Sequence, residues 1–116
     1  MEHLFFYIGL AFILTHELDA VQMKEWRIFP LISFLDDKMG YWVFTALHIP
    51  LFVAFFYGLR QNPNGTMYGL DIFFMVHIGL HLLLLWHKKN LFTSFFSWFL
   101  IVGAGIFGAL DLFYFF

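Results

Sequence analysis

Four long apolar runs, each broken by a short polar stretch, set the pattern of this chain. They cover Leu4–Met23, Gly40–Leu59, Tyr68–His87 and Leu91–Tyr114. Each is close to the ~20 residues that a helix needs to cross a hydrocarbon core. Strands fit poorly, because the runs lack period-2 alternation and are about twice the length of a barrel strand. The pattern predicts an all-α integral membrane four-helix bundle, antiparallel and with short loops. It is a single domain over 1–116, with spans at about 4–23, 40–59, 68–87 and 91–114.

The breaks agree with that reading. KEWRIFPLISFLDDKMG joins the first two runs, with charges at both ends and a Pro-containing apolar middle, as in a segment lying in the interface. RQNPNGT is a polar turn. His87-Lys88-Lys89-Asn90 makes a tight hairpin before the last run. Five of the six Lys and Arg residues lie in the first and third loops, and only Arg60 lies in the second. The positive-inside rule puts the first and third loops in the cytoplasm and both termini on the outer side. Trp26, Trp42, Trp86 and Trp98 fall towards the cytoplasmic ends, and Tyr7, Tyr57, Tyr68 and Tyr114 towards the other, as interfacial belts would. The first run starts with an acidic Glu2, ends in His16-Glu17-Leu18-Asp19 and lacks an A-x-A site. It reads as a retained helix rather than a signal peptide.

Composition narrows the class further. The chain is 62% hydrophobic and 12% charged, with 19 Phe in 116 residues. This excludes a disordered chain and is too apolar for an ordinary small soluble domain. The absence of Cys removes disulfides, thiolate metal sites and thiol nucleophiles. A net charge of −2 gives no sign of nucleic-acid binding.

Candidate chemistry lies in the ionisable residues inside the apolar runs: His16, Glu17, Asp19, His48, Asp71, His77, His81 and Asp111. Such residues cost a few kcal/mol to insert and mark either function or a buried pair. At ~1.5 Å per residue, His16, His48 and His81 fall at one level, roughly 10–12 Å from the cytoplasmic helix ends. His77 lies one turn deeper. The i,i+4 pair His77/His81 shares a helix face, as does the i,i+3 pair His16/Asp19, whereas Glu17 points about a quarter-turn from His16. Pro50 removes a backbone hydrogen bond beside His48. Ser94, Ser97, Ile101, Ala104, Gly108 and Asp111 form a small-residue stripe suited to close packing on the fourth helix. Asp71 and Asp111 lie near helix ends, where carboxylates reach the headgroup region. With His3 they form a candidate second polar cluster. Glu25, Asp36, Asp37, Lys38, Lys88 and Lys89 read as interfacial charge.

An H-x-x-x-H pair offers two nitrogens to one metal ion. With a third His at the same depth and carboxylates nearby, the expected site is a transition-metal centre, zinc first. His16, His48, His77 and His81 are the candidate ligands. Asp19 or Glu17 would orient a ligand His or act as general base. The competing structural reading keeps these His residues neutral, as hydrogen-bonded links between helices. His16-Glu17 begins like H-E-x-x-H, but Ala20 stands where the second His belongs, so the zinc-protease reading fails. Di-iron patterns are also absent. Haem b is an alternative, since His48 could face His16, His77 or His81 across a porphyrin. Carboxylates beside the ligands suit a hydrated ion better.

Two resemblances add to this. Thr15-His16-Glu17-Leu18-Asp19-Ala20 followed by Glu25-Trp26-Arg27, then Leu47-His48-Ile49-Pro50 and His77-Ile78-Gly79-Leu80-His81, resemble a family of small bacterial membrane proteins of unknown function. The resemblance covers most of the chain. It implies a four-helix integral membrane protein, with the bacterial inner membrane as its location. Locally, His77, His81, His16 (or His48) and Asp19 are similar in kind to the site of the transmembrane hydrolases that include alkaline ceramidases and adiponectin receptors. Those proteins bind zinc in the bilayer through an H-x-x-x-H, another His and an Asp that helps activate water. They have more spans than the four read here, so the likeness supplies chemistry and not a family. The functional expectation is a metal-dependent hydrolase acting on a lipid-like substrate. A non-catalytic subunit of a larger membrane complex, a homo-oligomer, a metal or proton conduit and a haem-binding electron carrier are the alternatives.

Overall fold

The structure is a computed structural model and describes residues 3–116, so the acidic start at Glu2 lies outside the described residues. The described residues fold into four α-helices and one 3₁₀ turn, with no strand among them. The helices are α1 (Leu4–Gln22), α2 (Asp37–Gln61), α3 (Pro63–Leu83) and α4 (Phe95–Phe115), and the 3₁₀ turn is Glu25–Arg27. All four helices are long and apolar enough to cross a membrane.

Local chemistry sets the helix ends, several residues from the edges of the hydropathy runs. Asp36 caps α2 by accepting a 2.8 Å hydrogen bond from the Met39 N–H. Its carboxylate satisfies one of the donors that every helix start leaves unpaired. Asn62 caps α3 in the same way, from Gly65 N–H at 3.2 Å, with Pro63 in the first turn where no N–H is needed. The polar stretch after α2 is therefore absorbed into helix ends, and Asn62 alone separates α2 from α3. The third connection runs the other way. It is longer than a tight hairpin, because α3 stops at Leu83 and Ser94 caps α4 from Ser97 N–H at 3.0 Å. Asn90 holds this loop, donating to the Leu85 carbonyl and accepting from Phe92 N–H. Helix α2 continues through Pro50.

The core lies between α1, α3 and α4. On α4, Ser97, Ile101, Ala104, Gly108 and Asp111 are buried, so the small-residue stripe is the packing face. A Cβ at Gly108 would stand 2.8 Å from the Asp71 carbonyl oxygen and 3.1 Å from the Phe74 Cβ, so the backbones of α3 and α4 approach closely there. The aromatic weight of the composition goes into this core: Phe6 and Phe74 are fully buried and stack at 6.1 Å.

Helix α2 stands apart. Of its 25 residues only Gly40 and Phe44 are buried. It is attached at its start, where the Trp26 ring lies against Gly40 so closely that no Cβ fits. Trp26 is thus a core residue and not a belt residue like the exposed Trp42 and Trp86. Beyond Phe44, α2 shows apolar side chains both outward and towards a cavity.

Candidate metal centre

Three helical histidines converge. His16 of α1 and His77 and His81 of α3 are 0%, 6% and 4% exposed. The ring of His16 lies 4.6 Å from that of His77 and 5.1 Å from that of His81, and the two α3 rings are 4.6 Å apart. The i,i+4 spacing puts both α3 rings on the α1-facing side, and α1 meets them with its own buried face. Phe92, fully buried in the third loop, closes the cluster by packing on His16 and His81.

The fourth member comes from the first loop. Glu25 sits in the 3₁₀ turn, with Oε1 3.5 Å from His81 Nε2 and Oε2 3.9 Å from His16 Nε2. One ligand atom from each of His16, Glu25, His77 and His81 falls within 4.8 Å of all the others, a little wider than the ~4.2 Å that two ~2.1 Å bonds to one ion can span. Sequence reasoning grouped Glu25 with the interfacial charges. The only signal for it was its place directly after α1. The chain reverses there at Lys24, whose φ of 53° is left-handed and follows the helix end where glycine is usual. That conformation costs a non-glycine residue about 1–2 kcal/mol.

Asp37 holds the turn in place. Its Oδ1 accepts from Trp26 Nε1 at 3.1 Å and from Arg27 Nε at 3.0 Å, and its Oδ2 accepts from Arg27 Nη2 at 2.5 Å. Lys24 Nζ lies 3.7 Å from the same oxygen. The fork-to-fork geometry fixes orientation as well as charge. It also raises the Arg27 guanidinium above its ordinary pKa, through hydrogen bonding to Asp37.

The donor set suits a metal ion. Both ring nitrogens of His16 and Nδ1 of His77 are buried without a hydrogen-bond partner among the described residues. An orphaned buried polar atom costs about 1–3 kcal/mol. A neutral imidazole nitrogen facing three other lone-pair donors is satisfied by a cation. Three imidazoles and a carboxylate are common zinc donors.

The other expected site residues lie elsewhere. His48 is not in the group. Its Nε2 faces Glu17 Oε2 at 2.5 Å, and its Nδ1 donates to the Phe44 carbonyl at 2.6 Å. With Nδ1–H so engaged, the Glu17–His48 contact needs a proton between its two partners. Asp19 is half-buried and outside the group, and its Oδ2 is enclosed without a partner among the described residues. Both Glu17 and His48 line a cavity of about 460 Å³ that Glu25, His77 and His81 also line. The pair and three members of the group thus share a single space, which His16 does not line.

A second polar cluster lies far from the first. Asp71 and Asp111 are fully buried, not turned outward to a headgroup region. His3 Nδ1 lies 3.1 and 3.0 Å from the two oxygens of Asp111. Neither Asp71 oxygen has a hydrogen-bond partner among the described residues.

No curated protein and no solved structure matches this chain. Residues 2–116 match a family of unknown function (DUF6713), and the chain belongs to that family.

Proposed function

We propose that this protein is an integral membrane four-helix bundle that holds one transition-metal ion, zinc, on His16, His77, His81 and Glu25. The observation that carries the reading is the convergence of three buried imidazoles and one carboxylate, with buried ring nitrogens of His16 and His77 lacking a hydrogen-bond partner among the described residues. The apolar exteriors of four span-length helices support insertion in a bilayer. The basic loops support a cytoplasmic side at the metal end, in a bacterial inner membrane. The ring spacing of 4.6–5.1 Å suits a shared ion, and His48, the expected haem partner, has both ring nitrogens turned to Glu17 and the Phe44 carbonyl.

The use we assign to the ion is hydrolysis of a lipid-like substrate. Zinc bound there would supply Lewis acidity to a substrate carbonyl. The chain's own residues supply the rest. Glu25 neutralises charge at the histidines. The Glu17–His48 pair holds a proton on the same cavity, placed to exchange with a leaving group. Asp37 orients the turn that carries Glu25. The apolar walls keep bulk water out.

Metal analysis and a visible spectrum of gently solubilised full-length protein test this. One zinc per chain without colour is the expected result. A Soret band would replace the ion with haem. Metal-free protein, together with unchanged stability in a His77→Ala/His81→Ala double variant, would overturn the reading.

A further inference from the structure

The cavity beside the histidines is polar at one end only. The Glu17–His48 pair, Glu25, His77 and His81 form that end. The remaining walls are apolar, with Leu47 and Leu51 from α2, Leu80 and Leu83 from α3, and Phe29 and Pro30 from the first loop. The space lies between the two places where α2 is held, at Gly40 and Phe44 near its start and at Gly58 against Thr66 of α3 towards its end. Its walls reach the molecular surface, since Leu51 is 42% exposed and Leu83 80%. The opening therefore lies between α2, the end of α3 and the first loop.

We infer that this cavity binds a single-chain amphiphile with a carbonyl head, the chain lying between α2 and α3 and the head at the histidines. The volume of about 460 Å³ lies within the ~300–1,000 Å³ of small-molecule sites. It equals about fifteen units of the ~30 Å³ that a water occupies in the liquid. That is room for a medium-length acyl chain with its head. An apolar chain moving from bilayer to cavity gains little from burial, so selectivity comes from fit and from the head. The head is where a carbonyl oxygen, carboxylate, ester or amide finds donors. The head's position rests on the metal-centre reading, whereas the chain's position does not.

Photolabelling separates the two. The probe is dodecanoic acid carrying a diazirine near its methyl end, added to the full chain in phosphatidylcholine nanodiscs. The expected labels fall on peptides containing Leu47–Leu51 and Leu80–Leu84, and excess unlabelled dodecanoic acid removes them. Leu51→Trp fills the cavity and is expected to cut this labelling about tenfold. Ile49→Trp, on the exposed face of the same helix, is expected to leave it within twofold. Leu80→Trp gives the same test from α3 should Leu51→Trp fail to fold. Labelling spread evenly over all four helices, or unchanged in a folded cavity-filling variant, overturns the inference. Diffuse labelling with zinc bound overturns this inference alone. Focused labelling on protein that binds no zinc supports the chain site and overturns the metal reading.

Discussion

The molecule buries two polar clusters in the same three-helix core, and they are built differently. His16, His77, His81 and Glu25 meet where α2 has parted from the core, so the cluster borders a cavity and keeps unpartnered nitrogens. His3, Asp71 and Asp111 meet where Gly108 lets α3 and α4 touch backbone to side chain, and that cluster does not border the cavity. One buried set has donors waiting for a ligand and a space for it to enter. The other has an internal imidazole–carboxylate link beside two Asp71 oxygens unpartnered among the described residues, and does not line that cavity. Polarity inside an apolar core is therefore not by itself a site. The space beside the polar atoms distinguishes the two.

The largest expected break is at the cavity-side cluster. His77→Ala/His81→Ala should abolish metal binding. A saturating ion at about 100 times its Kd stabilises the fold by ~2.7 kcal/mol. A chelator should then lower the unfolding midpoint of the parent protein and leave that of the double variant unchanged. Asp37→Ala should weaken metal affinity by about 10- to 100-fold through the freed Glu25 turn, by analogy with other outer-shell partners. Because Asp37 is exposed, the unfolding midpoint should change little. Competition titration against a zinc indicator reads the first effect, and thermal unfolding the second. At the second cluster the order reverses. Gly108→Val should cost about 1–3 kcal/mol by forcing α3 and α4 apart, with metal content unaltered. Asp111→Ala should also cost about 1–3 kcal/mol, because it leaves His3 without its acceptor and opens a hole at a fully buried position. Its zinc stoichiometry should match the parent protein. A metal loss in either of these last variants would show that the two clusters are one unit.

Much of the cavity-side cluster was legible in the sequence. His16 and His81 were placed at one depth by counting rise along the helices, with His77 one turn away. The i,i+4 spacing put the α3 pair on one face. The same counting placed His48 at that level, yet its ring meets Glu17. Depth follows from residue number, but the direction around the bundle does not. It depends on which helices pack closely, and along α2 only Gly40 and Phe44 are buried. Glu25 was hidden for a different reason. It lies in a loop without hydropathic period, and its position follows from a left-handed Lys24 and from a clamp to Asp37, ten residues beyond Arg27. The burial of Asp71 and Asp111 was likewise out of reach. Proximity to a helix end says nothing about which way a carboxylate turns.

By itself the sequence determined four span-length helices, an all-helical fold over the described residues, the small-residue face of α4 and the level at which histidines gather. These are one-dimensional properties, carried by helix rise, periodicity and side-chain size. Only the tertiary structure decided that Glu25 joins the histidines, that His48 pairs with Glu17 and that an apolar cavity opens beside them. Those depend on how one helix is rotated and displaced against another. In an apolar core that choice is set by shape and close contact, which hydrophobicity leaves undetermined.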